Sequence, residues 1–419
     1  MPMWLRAGTI LAASGGSAAL GLLASILLAR TYGADALGLF ATLIGAFALL
    51  SPLASLGLDR LLLRHFAREQ PTAVFTLLGP GLLLVLSVAI IGAGLLALGG
   101  PILFDAEPHL YALGAMALVT ATLWPLGRAV LQARHRDLAV AAWTLSVPLG
   151  RLGSILLALL LAGTFTFFMA LFAALELLLA GVALILLIRV RNGMAPAAAG
   201  ARPPLRPLLA GGIPFALSGA LYTIYYQVDV LMLGALLDLE ASGLYKAAAQ
   251  FIAAAYLLPA AFIQHYLLPR IFRWREAGNA GPRILRTGLL ALAFGMAAGA
   301  VLFIIADPLL RLTYGSAYAA SIPALQGLAL AIPFHCLAIA AGGFLVRGTD
   351  IRHKVVVQVL LALLNITLNA CLIPAWGILG AVVATVITEI VLAAAYVLLI
   401  LGSLRRESSH RARAVAAGR

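Results

Sequence analysis

Asp229 is a carboxylate set inside an apolar run, and tyrosines share its helix face. The surrounding stretch, residues 211–247, is GGIPFALSGALYTIYYQVDVLMLGALLDLEASGLYKA. Crossing a bilayer takes about 20 residues at about 1.5 Å each, so the helix in this stretch is long enough to span. On insertion scales an ionised Asp at the bilayer centre costs roughly 2.5–3.5 kcal/mol, so a carboxylate placed there faces a partner or a wet cavity. Tyr222, Tyr225 or Tyr226, and Asp229 fall at helical spacings of three, four and seven and form one stripe. A lipid-facing helix has no use for polar tips in register, so this face is predicted to look inward.

Three more ionisable groups lie as deep: Arg151, Glu176 and Glu389. Ionised and unpaired, the four would together cost roughly 10 kcal/mol or more, comparable with a whole domain's stability. They are therefore expected to be paired, hydrated or neutral. Arg151 and Glu176 sit at mid-depth on consecutive helices, which suits a structural salt bridge as well as a cavity-lining pair that meets substrate. Glu389 has no obvious helical neighbour, which leaves a proton-coupling role open to it. Asp229, Glu176 and Glu389 are thus the ion-coupling candidates. Gln358, Asn365 and Asn369 follow at spacings of seven and four. They suit interhelical amide contacts, or a cleft for hydroxyl-rich ligands lined by Tyr222, Tyr225, Tyr226, Asp229, Arg151, Asn365 and Asn369. Arg60, Arg64, Arg128, His265 and Arg270 cluster at one membrane face and are candidates for a cationic collar around a phosphate. His335, alone on an apolar helix, reads as a satisfied core histidine. No Walker loop, metal-ligand spacing or nucleophile constellation is present, so neither ATP hydrolysis, a metal nor a cofactor is expected.

The elements that hold these residues follow from composition. Of 419 residues 63% are hydrophobic and 10% charged, and the mean hydropathy is +1.07. A soluble chain would carry about 25% charged residues, so this is a polytopic helical membrane protein. Cys336 and Cys371 both lie in apolar runs and read as small buried side chains. Hydropathy gives twelve runs, near 8–30, 37–58, 75–99, 109–131, 138–161, 166–188, 208–235, 243–269, 287–306, 322–346, 355–374 and 378–402. Prolines 52, 125, 148, 214, 259 and 333 fall inside runs, as kinks or as hinges.

The net charge of +13 is a topology signal. All but four of the 28 Lys and Arg lie in the N-terminus, the even-numbered connections and the C-terminal tail. The exceptions are Arg30, Lys246 and Arg311 on the opposite side and Arg151 within a helix. The asymmetry places both termini in the cytoplasm, with the basic loops against anionic lipid headgroups. Charge spread over so many loops does not make a nucleic-acid groove. The Pro- and Ala-rich loop 189–207 reads as a cytoplasmic linker between an N-terminal six-helix lobe, 1–188, and a C-terminal one, 208–404, with a basic tail at 405–419.

The two halves resemble each other. GADALGLFATL at 33–43 matches DLEASGLYKAA at 238–248, Arg68 falls on Arg273, Glu176 on Glu389, and Arg151 close to Asn365. With six helices per half, the copies are related by an axis along the membrane normal, a geometry suited to alternating access.

Several segments carry a family resemblance: LLARTYGADALGLFATL, LASLGLDRLLLRHFA, QVDVLMLGALLDLEASGLYKAA, YGSAYAASIPALQGLALAIP and NITLNACLIPAWGILGAVVATVITE. They resemble the polysaccharide-biosynthesis membrane proteins of the multidrug/oligosaccharidyl-lipid/polysaccharide (MOP) exporter superfamily. The resemblance implies an all-α, MATE-like fold of twelve transmembrane helices in two six-helix lobes. It implies a bacterial inner-membrane flippase that moves undecaprenyl-diphosphate-linked oligosaccharide from inner to outer leaflet, as O-antigen flippases do. The implied partners are the lipid-linked oligosaccharide, membrane lipids and polysaccharide polymerase or assembly proteins. Asp229 and Arg30 occupy positions similar to family motifs, in QVDVLMLG and LLARTYG. Three deep acids against one deep Arg depart from what a diphosphate ligand wants, which moves phosphate binding toward the inner mouth. A cation-coupled multidrug exporter of the same superfamily and a lipid II flippase are the rival readings within it. A membrane glycosyltransferase or ligase would need a large outer catalytic loop, and none is expected here.

Overall fold

The computed structural model describes residues 3–194, 204–262, 280–345 and 348–417. Among these residues every regular element is helical. A membrane interior offers the backbone no water to bond, and a helix satisfies its N–H and C=O groups within one segment. Eight described helices are long and apolar enough to cross a bilayer, or ten if each of two bent pairs counts as one span. Their outward surfaces are as apolar as their cores: Ile102 is 86% exposed and Leu160 82%. Such residues would be a liability in water and are at home against acyl chains.

The chain forms two compact units, Met1–Gly243 and Leu244–Arg419. In the first unit, helix α1 (Met3–Ala54) holds the first two expected spans. They separate at Gly33, whose φ of 88° lies in the left-handed region that glycine enters without steric cost. There follow α2 (Leu58–Ala67), α3 (Pro71–Leu103), α4 (Pro108–Ala133), α5 (Asp137–Leu160), α6 (Phe165–Asn192) and α7 (Ile213–Leu236). Helix α8 (Leu239–Phe262) starts in this unit and runs on into the second. The second unit continues with α9 (Ala280–Thr313), α10 (Ile322–Ala329), α11 (Ile332–Phe344), α12 (Gly348–Trp376) and α13 (Ile378–Ala417).

Two spans are broken. Leu205–Leu221 and Thr223–Leu236 meet at 48°, and Ser316–Ala329 and Ile332–Phe344 at 43°. Pro333 stands in the first turn of α11, where its missing N–H costs nothing and its ring starts a new helix. Pro214 does the same for α7. Of the six prolines singled out in the sequence, these two mark helix starts, whereas Pro52, Pro125, Pro148 and Pro259 lie within helices.

Packing and sequence repeat divide the chain at different places. Helix α7 packs against α1 inside the first unit, so packing places the boundary after Gly243. The sequence repeat divides the chain within 189–207, of which 195–203 lies outside the described residues. Helix α2 lays Leu58, Leu61 and Leu62 into a core with Leu123, Leu126 and Val130 of α4. Helices α4 and α5 are joined by Trp124 and Trp143. Their rings stack at 3.8 Å, and each indole N–H donates to the other's backbone carbonyl, at 3.1 and 3.0 Å.

In the first unit the backbones of α1 and α8 cross unusually closely. A Cβ on Gly38 would lie 1.7 Å from the Leu239 carbonyl oxygen, and a Cβ on Gly243 would lie 2.0 Å from that of Ala34. The contact is reciprocal and joins the two positions that the repeat makes equivalent. Other repeat partners meet alike within each unit. Phe40 packs on Phe172 at 5.2 Å between ring centroids, and the equivalent Tyr245 and Thr385 hydroxyls lie 3.1 Å apart.

Candidate functional sites

In the first unit Glu176, on α6, is 1% exposed. Its Oε1 lies 3.6 Å from Nε of Arg151 on α5, an ion pair just beyond direct hydrogen-bond reach. The Thr120 hydroxyl of α4 donates to the Glu176 backbone carbonyl and so ties a third helix to the pair. The Arg151 guanidinium lies 5.9 Å over the Phe40 ring and 5.7 Å over that of Phe172, within the range where the ring quadrupole attracts a cation. Phe165 and Tyr32 extend this aromatic wall through Phe168, and the Tyr32 hydroxyl donates to the Gly163 carbonyl at 3.1 Å. The permanent cation of this site is therefore held by a carboxylate and two aromatic faces together.

Asp229 of α7 is 5% exposed. Tyr225 is half-buried and Tyr226 is 37% exposed, with their rings edge to face at 5.0 Å. The Tyr222 side chain lies outside the described residues. Arg60 and Arg64 project from the exposed face of α2, and Arg128 is exposed on α4. Because α2 packs on α4, these arginines share one end of the unit. Arg60 also lies 3.5 Å from Asp59. Arg270 and His265 lie outside the described residues.

The second unit holds a second buried acid, here beside a histidine. Glu389 of α13 and His335 of α11 have side chains each 3% exposed, and His335 Nδ1 lies 2.9 Å from Glu389 Oε1. Glu389 thus has a partner, contrary to its isolation in the sequence. The partner is a histidine whose type and setting gave no sign of a role. The one signal available was elimination, since His335 is the sole residue of α11 able to carry positive charge. The Tyr256 ring of α8 stacks on the imidazole at 3.5 Å between centroids. Farther along, Tyr396 of α13 shares a side-chain hydrogen bond with Gln358 of α12. Lys354 Nζ donates to the Gly342 carbonyl at 3.1 Å and lies 5.6 Å over the Tyr396 ring.

Asn365 and Asn369, 1% and 0% exposed, are linked along α12. The Asn369 amide donates to the Asn365 carbonyl at 3.0 Å and approaches its Oδ1 at 3.2 Å. Cys371 corrects the sequence expectation: Cys336 is buried but Cys371 is exposed. An apolar run in lipid does not reveal which of its faces is packed. Among the described residues no three His, Cys, Asp or Glu side chains are grouped to hold a metal ion.

The comparisons with known proteins agree on the fold. The family model for polysaccharide biosynthesis proteins matches residues 5–275. No curated protein sequence matches the chain. Among solved structures it is similar to the lipid II flippase MurJ in an inward closed conformation, with a TM-score of 0.73 and 15% identity over 93% of this chain and 87% of that one. An inward-facing multidrug resistance MATE family transporter of the MOP superfamily gives 0.66 at 14% identity, covering 95% of each chain. A MOP superfamily transporter from Pyrococcus furiosus gives 0.61 at 13% identity, covering 96% of each.

Proposed function

The chain belongs to the polysaccharide biosynthesis protein family and has the MOP transporter fold, and from that premise we propose that it is a lipid-linked oligosaccharide flippase. It carries polyprenyl-diphosphate-linked saccharide units from the inner to the outer leaflet by alternating access. The observation that carries this reading is the burial of Asp229, Glu176 and Glu389 in the apolar spans of a chain of this family. Such groups are costly in hydrocarbon, and a purely structural membrane protein has little reason to keep several. The saccharide meets the polar side chains, with Asp229, Tyr225, Tyr226, Arg151, Asn365 and Asn369 as the candidates, while the polyprenyl tail stays in lipid. Arg60, Arg64 and Arg128 meet the diphosphate at the cytoplasmic mouth, where exposed guanidinium forks suit phosphate oxygens. The placement of nearly all 28 Lys and Arg on one side supports a cytoplasmic-membrane location with both termini inside. Polymerase or assembly proteins that use the flipped unit are the expected partners.

The excess of buried acids and the MATE likeness favour a second reading, a cation-coupled exporter of amphipathic cations. Proteoliposomes containing the full chain separate the two. Appearance of a polyprenyl-diphosphate-linked oligosaccharide in the outer leaflet, read by an impermeant glycosidase, is expected to exceed protein-free vesicles at least tenfold. No such gain, together with ethidium transport, would replace the flippase reading by the exporter.

A further inference from the structure

We infer that His335 and Glu389 form a proton-binding site of the second unit, distinct in kind from the fixed Arg151–Glu176 pair of the first. The inference rests on the transporter reading above only for the use to which the proton is put. Both acids hold the same position in the sequence repeat, both are almost wholly buried, and one meets a guanidinium and the other an imidazole. Arg151 brings to its pair a guanidinium that stays charged at any pH a protein meets. The second pair brings an imidazole, which unlike a guanidinium can both take up and release a proton.

Chemically, the buried pair is neutral when it holds one titrating proton, as imidazolium with carboxylate or as imidazole with carboxylic acid. Taking up a proton from water gives imidazolium with carboxylic acid, and releasing one gives imidazole with carboxylate. Either step leaves a net charge among apolar helices, which is tolerable only if water or a counter-charge arrives with it. Proton binding and hydration of the site are therefore linked. Glu389 offers a definite atom for the added proton. Oε1 faces His335, whereas Oε2 is buried without a hydrogen-bond partner among the described residues. A neutral hydroxyl is cheaper to bury unpartnered than an anionic oxygen.

Among the described residues, the ring and electrostatic partners of the pair are uncharged side chains. Helix α8 presents the Tyr256 ring to His335. Helices α11 and α13 add the neutral side chains of Cys336 and Tyr396, both within electrostatic reach of Glu389. On α12, Lys354 donates to a backbone carbonyl near Tyr396, and Arg352 and His353 are exposed. On α9, which packs on α11, Asp307 and Arg311 pair with each other at 2.5 Å in exposed positions, and Arg283 and Arg286 are also exposed. Helix α10 carries no ionisable side chain.

The test uses the full chain in lipid and needs no transported substrate. Infrared difference spectra taken through a pH titration around neutrality read carboxylic-acid protonation directly. Wild type is expected to show a buried carboxylic-acid band that disappears in Glu389→Gln, persists in Glu176→Gln and shifts its midpoint by at least one pH unit in His335→Gln. His335→Lys, which imitates the permanent charge of the first unit, is expected to abolish the band near neutrality. It also keeps the test decisive if His335→Gln does not fold. A band unchanged in Glu389→Gln, or lost in Glu176→Gln, overturns the assignment. Flipping driven by an imposed pH gradient is measured alongside, and Glu389→Gln is expected to lose at least tenfold of that dependence. A band assigned to Glu389 in a protein that flips no oligosaccharide would keep the proton site and discard the flippase reading. Flipping in full, with no titrating band at Glu389, would do the reverse.

Discussion

Glu176 and Glu389 occupy one position of a duplicated fold, yet their surroundings differ in a way that matters for charge. Glu176 draws its cation from the preceding span, α5, whose Arg151 also lies over two aromatic rings. In the second unit the place near Arg151 in the repeat belongs to Asn365, which is linked along its own helix to Asn369. Glu389 finds its partner on α11 instead, in His335. Helix pairings are preserved, since α4 reaches α6 through Thr120 as α11 reaches α13 through His335. The identity of the partner is not. A duplicated membrane fold can thus keep its packing while one copy pairs its glutamate with a guanidinium and the other with an imidazole.

The largest expected effect removes the fixed charge. Arg151→Ala leaves Glu176 buried without its ion-pair partner, and breaking a buried pair typically costs about 3–5 kcal/mol. Because the Arg151 side chain is 27% exposed, a loss of about 3 kcal/mol is expected, read as a lowered midpoint of thermal aggregation in detergent. The double variant Arg151→Met with Glu176→Leu should recover most of it, because well-packed apolar side chains often replace a buried pair at little cost. Equal losses for single and double variants would show that the site is held by shape and not by charge.

Where the units are alike, matched variants should behave alike. Gly38→Ala and Gly243→Ala each force a Cβ into a backbone carbonyl across the α1–α8 crossing. Overpacking of this kind costs typically 1–3 kcal/mol, so each should lose about 2 kcal/mol. Gly21→Ala, with nothing within 4 Å of the added carbon, should be neutral in the same thermal assay. The pair should be non-additive, since once the helices have moved apart for one methyl the second meets open space. A large loss from one glycine and none from the other would break the symmetry of the crossing.

Much of this arrangement was legible in the sequence. Long apolar runs are dictated by the bilayer, so the long apolar helices fall on the runs that hydropathy marks, and the bend in the tenth span lies beside Pro333, whereas that in the seventh lies well past Pro214. The burial of Asp229, Glu176 and Glu389 follows from the cost of exposing a carboxylate to lipid. The Arg151–Glu176 pair was accessible because both residues lie on consecutive helices. His335 was not, because 54 residues separate it from Glu389 and a single polar residue on an apolar helix has no periodicity to read. The GLF and GLY segments were visible as a repeat, but a repeat does not say that its copies touch. Cys371 was misplaced because lipid-facing and core-facing surfaces are equally apolar, so polarity carries no information about burial there.

The smallest expected effect separates shared packing from local chemistry. Phe40 and Tyr245 are repeat equivalents, and both contact the residue one turn before their unit's glutamate, Phe172 or Thr385. Tyr245→Phe removes a hydroxyl from a buried pair but keeps the ring, and interhelical hydrogen bonds in membranes average about 0.6 kcal/mol. A loss of about 0.5–1 kcal/mol is therefore expected, read as a shift of a few degrees in the same thermal assay. Thr385→Val also gives up the bond to the Ala381 carbonyl, so the double variant should cost less than the sum of the two singles, which share the hydroxyl contact. In the first unit Phe40→Leu removes an aromatic face from Arg151, worth about 0.5–1 kcal/mol or more, and the loss should vanish when Arg151→Met is already present. The two units would then share a contact position while spending it differently, on a hydroxyl pair in one and on the cation's aromatic wall in the other.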